Sequence, residues 1–142
     1  MTTTTSFRGD SMGLGAVVRP STKPDLDPPT IESLDFHREG RFLVSADSAA
    51  EVILVDALEG KVRKRIRCEA YPIGIVRFTH HDQTVLCTSR GCSSGGAAAH
   101  DVRYLSLYDN TYLRFFHGHT DEVVSMAVCP SDDHFVTGSK DR

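Results

Sequence analysis

The feature of this sequence that most limits its possible folds is a plan that occurs three times. Each copy has a short apolar stretch, a four-residue polar turn and a second apolar stretch with Ser or Thr near its end. The copies occupy residues 31–47, 73–89 and 123–139. The residues before the three turns, Phe36, Thr79 and Cys129, are 43 and 50 positions apart. A repeat of about 40–45 residues is the period of a β-propeller blade.

A second plan, in which a strand, an Asp, a turn and another strand follow one another, lies between the copies of the first. It covers "EVILVDALEGKVRKRI" and "RYLSLYDNTYLRFF". The combined pattern predicts strands at IESLDF, RFLVSA, EVILVDA, KVRKRIR, IGIVRFT, TVLCTS, VRYLSLYD, YLRFF, VVSMAVC and HFVTGS. Stretches such as EVILV and VVSMAV are apolar on both faces, which indicates sheets that are covered on both sides.

The sequence therefore predicts an all-β fold, a β-propeller of which about two and a half four-stranded blades of an expected seven are present. The predicted divisions are a flexible leader at 1–29 with a possible ring-closing strand at 14–20, a first blade at 30–68, a second at 69–116 and the first half of a third at 117–142. A Gly/Ala/Ser-rich insertion at 90–101 is expected to form a mobile loop. We expect a truncated chain that is only marginally stable alone, because repeat units bury their faces against neighbours.

The composition is that of an ordinary globular domain. The 142 residues carry a net charge of −3, which gives no general basic bias toward nucleic acid. No apolar run approaches the ~18 residues of a membrane span, and the N-terminus has no signal-peptide core. Because the cysteines form no C-x-x-C pair, reduced thiols are expected rather than zinc ligands. These cysteines are Cys68, Cys87, Cys92 and Cys129.

Gly118-His119, Thr137 and Asp141 follow the order of a WD repeat. In that pattern an imidazole, a hydroxyl, a carboxylate and a Trp indole satisfy one another inside the blade. His119 and Asp141 are 22 residues apart, which suits a loop, two strands and a turn. The alternative is metal binding or acid–base chemistry by His117 and His119, but no H-E-x-x-H or similar spacing supplies further ligands. We predict a structural network of His119, Thr137 and Asp141, with no catalytic, cofactor-binding or metal-binding residues.

Two other groups of residues admit a functional interpretation. The stretch "KVRKRIR" places Arg63, Arg65 and Arg67 on one face of an outermost strand, which is typical of a solvated edge. The alternative is a phosphate or partner patch that contacts RNA, DNA or a phosphorylated polymerase tail. The aromatic residues suit blade packing or a stacking platform, and core packing is the preferred interpretation. They are Tyr104, Tyr108, Tyr112, Phe115 and Phe116.

The run from Arg103 to His119 resembles the propeller subunit of COMPASS, the Set-type histone methyltransferase complex, known as the Swd-two family. In that family a "R-Y-L-S-L-x-D-N-x-Y-[LI]-R-x-F-x-G-H" run joins the second and third blades. It is matched here by Arg103, Tyr104, Leu105, Ser106, Leu107, Asp109, Asn110, Tyr112, Arg114, Phe116, Gly118 and His119. The resemblance extends over about residues 14–142. The insertion, a longer second turn and the missing Gly-His of blade one depart from the family pattern.

This resemblance implies a non-catalytic scaffold subunit of a nuclear histone-lysine methyltransferase complex that helps recruitment to transcribed chromatin. The alternatives are the same type of subunit in mRNA 3′-end cleavage, polyadenylation and transcription termination, or a generic WD-repeat adaptor. The implied partners are protein subunits of the methyltransferase complex, with cleavage factors or the phosphorylated RNA polymerase II tail as further candidates. No cofactor, direct nucleic-acid binding or membrane contact is expected.

Overall fold

The structure is a computed structural model, and it describes residues 29–90 and 97–142. The predicted ring-closing strand and nearly all of the predicted leader lie outside these residues, as do positions 91–96 of the insertion. The elements are β1 (Ile31–Phe36), β2 (Phe42–Asp47), β3 (Glu51–Asp56), β4 (Lys61–Arg67), β5 (Ile73–Phe78), β6 (Thr84–Ser89), the 3-10 helix η1 (Ala97–His100), β7 (Val102–Ser106), β8 (Thr111–Phe116), β9 (Val123–Val128) and β10 (Phe135–Ser139).

The strands form three antiparallel sheets in which neighbours along the chain are neighbours in space. The first sheet has the order β1-β2-β3-β4, the second β5-β6-β7-β8, and the third pairs β9 with β10. This architecture confirms the predicted all-β class, and the strands lie where the sequence placed them, apart from shifts at their ends. The largest shift is in β7, which was predicted to continue to Asp109 but ends at Ser106. Residues 107–110 instead form a turn that closes through Asn110 at φ 61°.

The pairing register corrects one equivalence drawn from the sequence. Asp56 pairs with Lys61 in the first sheet, and Ser106 pairs with Thr111 in the second. The two connecting turns therefore have the same length, and each ends in a residue with positive φ, Gly60 or Asn110. Asp56 thus corresponds to Ser106 rather than to Asp109, although both aspartates follow a strand in the sequence plan.

The middle strands are buried on both faces, as their continuous apolar character predicted. One face of β2 and β3 packs against the second sheet, and the largest apolar cluster lies between these sheets. That cluster includes Val44, Val52, Leu54, Ile66, Ile73, Val76, Phe78, Val85, Leu105 and Leu107. A smaller cluster of Leu86, Val102, Val123 and Met126 lies between the second and third sheets. Each such side chain stabilises the fold by about 1.5–3 kcal/mol when it leaves water.

Side chains of β1 join the first sheet to the second. Among the described strands, β5 is an edge strand of its sheet, so the backbone groups on its unpaired side need other partners. Asp35 Oδ2 accepts the Phe78 N–H at 2.7 Å, and Ser33 Oγ accepts the Val76 N–H at 3.2 Å. Side chains of β1 therefore complete the edge of β5 in place of a neighbouring strand.

The described end of the insertion is folded against the second sheet. Residues Ala97–His100 form a 3-10 helix, and the Asp101 that follows them is buried. The described end of the insertion therefore contains one turn of regular structure next to β7.

The Asp35 contact generates a prediction for the junction between the first two sheets. Burial raises the pKa of the Asp35 carboxyl above 3.8, so the ionised form opposes folding, and wild-type stability increases as pH falls through that raised pKa. Asp35→Asn keeps an acceptor for the Phe78 amide without the charge. We expect this variant to be at least as stable as the wild type at pH 7, with an advantage that shrinks toward pH 4.

Urea unfolding of both proteins across this pH range measures the difference. Asp35→Ala is the matched control, because it leaves the Phe78 N–H without its acceptor and should lose about 1–3 kcal/mol at every pH. If Asp35→Asn loses as much stability as Asp35→Ala at pH 7, the carboxylate charge itself stabilises the junction and the prediction is wrong.

Candidate functional site

The third sheet contains a closed polar network around His119. The His119 Nδ1 atom lies 2.9 Å from Asp141 Oδ2, and Nε2 lies 2.8 Å from Thr137 Oγ1. Asp141 Oδ2 also accepts the backbone N–H of Thr120 at 2.9 Å. The structure thus brings together all three residues that the sequence singled out. Because the threonine hydroxyl can donate as well as accept, a neutral imidazole satisfies both contacts.

Local structure explains how these three residues meet. Thr137 lies in the middle of β10 opposite Met126, and Asp141 follows β10 in the next turn. The backbone N–H of Lys140 bonds to the Glu122 carbonyl at 3.0 Å, which holds the loop before β9 beside that turn. The Thr120 N–H, and after it the His119 imidazole, lower the pKa of Asp141. The network therefore ties both ends of the β9–β10 hairpin to one imidazole.

The two histidines of "HGH" have separate partners. His117 Nδ1 lies 2.8 Å from Asp101 Oδ2 at the start of the second sheet's third strand, and its ring stacks on Phe115 with centroids 6.5 Å apart. His119 belongs to the third sheet. Within residues 29–90 and 97–142, no group of three or more His, Cys, Asp or Glu side chains is arranged to hold a metal ion. The pair therefore forms two separate contacts rather than one chemical centre.

Thr137→Val tests the contribution of the imidazole–hydroxyl contact, since it removes the hydroxyl and retains the shape of the side chain. We expect a loss of about 1 kcal/mol, because His119 Nε2 loses its partner in a half-buried position. Chemical denaturation followed by circular dichroism measures the loss. Thr120→Val is the control, because Thr120 is exposed and uses only its backbone N–H; an equal loss in both variants would refute the assignment.

The basic strand β4 has its three predicted arginines beside carboxylates. Arg63 Nη2 lies 2.9 Å from both Asp56 Oδ2 and Glu59 Oε1. Glu51 Oε2 lies 3.1 Å from Arg65 Nη1, and its other oxygen lies 3.6 Å from Arg67 Nε. The guanidinium groups remain partly exposed at the edge of the sheet, but a phosphate there would compete with two acidic residues of β3.

Asp56 is the central group of this edge. Its carboxylate is buried, and the Oδ2 atom accepts hydrogen bonds from both Arg63 and Arg41. The Oδ1 atom accepts the backbone N–H groups of Leu58 and Glu59. The hydrogen bond from Arg63 is the main cause that lowers the pKa of Asp56 to about 2. Asp56 and the arginines therefore depend on one another, since either charge alone would be left without its partner at the sheet edge.

A carboxyl with a depressed pKa stabilises the folded state above its unfolded pKa of 3.8 and loses that contribution as pH falls toward about 2. We therefore expect Asp56→Asn to be less stable than the wild type at pH 7, with a difference that closes between pH 4 and pH 2. Urea midpoints across this range measure it. Asp82→Asn, which removes a carboxylate from an exposed turn, should show no such closing difference. A pH-independent loss in Asp56→Asn would contradict the ion-pair account.

Two structurally important contacts were not predicted from the sequence. Lys64 Nζ reaches across to the second sheet and donates to the Leu107 and Tyr108 carbonyls, both at 2.5 Å. The counterpart of Lys64 in the second sheet is Arg114, so this contact does not follow from the repeat. Arg103 is fully buried, donates to Ser89 Oγ, and its guanidinium carbon lies 3.8 Å from the centroid of the Tyr71 ring. The family motif includes Arg103, but the motif alone does not predict that its side chain is buried.

Thiols and aromatic residues differ in how far they match the expectations. Burial raises the pKa of Cys87 to about 12 and also raises the pKa of Cys68, so both stay protonated near neutral pH. Core packing was expected for all five aromatics, but Tyr108 is 78% exposed in the turn after β7, and Phe115 is also exposed. The expectation is wrong for Tyr108, because the strand ends two residues before it, and for Phe115, because it lies on the edge strand β8 outside the apolar clusters.

The two histidines in the turn between β5 and β6 differ in exposure. His81 is 68% exposed, but His80 is only 24% exposed because its ring lies against the β9–β10 turn.

In the part of the chain that the structure describes, no helix has the length and apolar character needed to cross a bilayer.

Comparisons with known proteins agree with this geometry. The family model "WD domain, G-beta repeat" matches residues 110–142, which include the His119 network. The chain is 32% identical over 112 residues to "WD repeat-containing protein 82" of Drosophila melanogaster, and this match covers 79% of the chain and 33% of the relative. It is 39% identical over 113 residues to "Protein ANTHESIS POMOTING FACTOR 1" of Arabidopsis thaliana, a match that again covers 79% of the chain and 33% of the relative.

A third relative is "COMPASS component SWD2" of Saccharomyces cerevisiae, 30% identical over 112 residues, with 79% of this chain and 32% of the relative covered. The chain thus spans about a third of the length of the curated relatives it matches.

Proposed function

Because this chain belongs to the WD40-repeat proteins and has the COMPASS component of budding yeast among its relatives, we propose that it serves as a non-catalytic subunit of a Set-type histone methyltransferase complex. In this role it acts in the nucleus as a scaffold that contacts other protein subunits and helps to bring the methyltransferase to transcribed chromatin. The similarity to a protein named for that complex is the observation that carries the proposal.

The polar contacts described above hold the sheets together, and this construction supports a role in which the turns and edges bind partners. The His119 network, the Asp56 ion pairs and the Arg103–Tyr71 contact all join parts of the chain to one another. These groups hold strands and turns in place, and a propeller built in this way offers its turns and outer edges to partners. Tyr108, in the exposed turn after β7, is the side chain best placed for such a contact.

The proposed division of the chain follows the three sheets. We assign 30–68 to a first blade, 69–116 to a second with the insertion at 90–101, and 117–142 to the first half of a third. The predicted leader at 1–29 precedes the first blade in this division, and nearly all of it lies outside the described residues. In this arrangement Arg63, Arg65 and Arg67 lie on the outermost strand of the first blade, where a partner would reach them.

Affinity purification from cells that carry a tagged form of the whole protein at its own locus tests the proposed complex. We expect a Set-domain methyltransferase among the stoichiometric partners. Recovery of cleavage and polyadenylation factors without a Set-domain protein would overturn this proposal and favour a role in 3′-end processing.

Two variants define the specificity of the capture. Leu105→Asp places a charge in the cluster between the first two sheets and should abolish recovery of every partner, because the propeller no longer packs. Tyr108→Ala leaves that cluster intact and removes only an exposed ring. A selective loss of one partner in Tyr108→Ala would identify the turn after β7 as its contact.

A further inference from the structure

The ring of His80 connects the second sheet to the third. His80 lies in the turn between β5 and β6, and its Nε2 atom is 2.9 Å from the carbonyl oxygen of Cys129, at the end of β9. Its Nδ1 atom is 3.0 Å from Asp133 Oδ1 in the turn between β9 and β10. Both partners of the ring therefore belong to the third sheet.

The chemistry of these partners determines the charge state that fits the site. A backbone carbonyl and an aspartate carboxylate can only accept hydrogen bonds, so each ring nitrogen of His80 must donate to form both contacts. A neutral imidazole has one N–H and can make only one of them. The imidazolium has two, and its positive charge also faces the carboxylate of Asp133.

The junction between the first and second sheets is built differently. The first residue after β1 is His37, whose counterpart after β5 is Thr79, so the counterpart of His80 in the first turn is Arg38. The His37 Nε2 atom lies 3.3 Å from the His80 carbonyl oxygen. His37 is buried, its ring meets Phe78 edge-on at 5.4 Å, and its Nδ1 atom is buried without a hydrogen-bond partner. The His37 ring thus makes one hydrogen bond to the neighbouring sheet, whereas the His80 ring faces two acceptors.

We propose that His80 is a pH-sensitive link between the second and third sheets, complete when its ring is protonated and reduced to a single hydrogen bond when the ring is neutral. Histidine is the side chain whose charge changes between about pH 5 and pH 8, so the change falls within the range that proteins meet in cells.

The other charged groups near His80 do not supply an alternative acceptor. Asp133 is the carboxylate in contact with the ring, and His81 follows His80 in the turn between β5 and β6. Two surface cavities adjoin His80. Arg114 of β8 lines one of them, and Asp35, Arg38 and Arg77 line the other. The arginines keep their charge throughout this pH range, and Asp35 is occupied by the Phe78 amide.

The direction of the effect follows from the bonding. The protonated ring makes both contacts only in the folded junction, so the contribution is complete at acidic pH and is lost as pH rises through the histidine range. Because Asp133 is 98% exposed, its contact with His80 is a surface ion pair, and the expected effect is about a threefold change in local opening.

Hydrogen–deuterium exchange of the 142-residue chain tests this proposal. After correction for the intrinsic exchange rate, protection of the β9–β10 hairpin should fall about threefold from pH 6 to pH 8 in the wild type. Asp133→Asn alters an exposed side chain and should abolish most of this change without unfolding the protein. His81→Gln is the matched control from the same turn, and it should behave like the wild type.

His119 and His134 also lie in or beside the third sheet, so each variant is compared with the wild type at every pH. The ring nitrogen chemical shifts of His80 give an independent readout, since both nitrogens should carry a proton at pH 6. Equal pH-dependence in the wild type and in Asp133→Asn, or a His80 ring with one unprotonated nitrogen at pH 6, would overturn the proposal.

Discussion

The rest of the structure depends on one constraint: the middle strands of the two four-stranded sheets are buried on both faces, so neither sheet can be stable without a neighbour. Strands β2, β3 and β6 are almost completely buried, and the main apolar cluster is shared between the first two sheets. This constraint forces the sheets to stack face to face. Polar groups at the stacked faces must then be satisfied across the junction, because water does not reach them.

Stacking explains why side chains rather than strands connect the sheets. Asp35 and Ser33 supply acceptors for backbone amides of β5, and Lys64 supplies a donor for the turn after β7. The partners in each contact are 43 or 44 residues apart, so each contact joins one sheet to the next rather than strands of the same sheet. Stability at a junction thus depends on a few charged and hydroxyl groups in addition to apolar area.

Sequence reasoning was successful where a physical pattern is periodic and local. Alternating turns and apolar runs located the strands, and the order of His119, Thr137 and Asp141 located three side chains that the structure brings within hydrogen-bonding distance. Contacts between sheets were missed because they depend on register. Asp56 and Asp109 look equivalent in sequence, but only Asp56 lies where two arginines can reach it. The burial of Arg103 requires Ser89 of β6 and Tyr71 of the connection between β4 and β5, which no single stretch encodes.

The repeated backbone carries side chains that are not repeated, and this difference is where function has to be assigned. The second residue after the first strand of each sheet is Arg38, His80 or Pro130. The imidazole of His80 bonds to the Cys129 carbonyl and the Asp133 carboxylate, which neither Pro130 nor the guanidinium of Arg38 reproduces in its own sheet, so equivalent backbone positions form different junctions. The same argument applies to Leu58 and Tyr108, which occupy the same place in two turns of equal length and are both exposed. A partner that recognises the aromatic hydroxyl of Tyr108 would distinguish the second sheet from the first even though their strands are the same, since a phenol donates a hydrogen bond that leucine cannot.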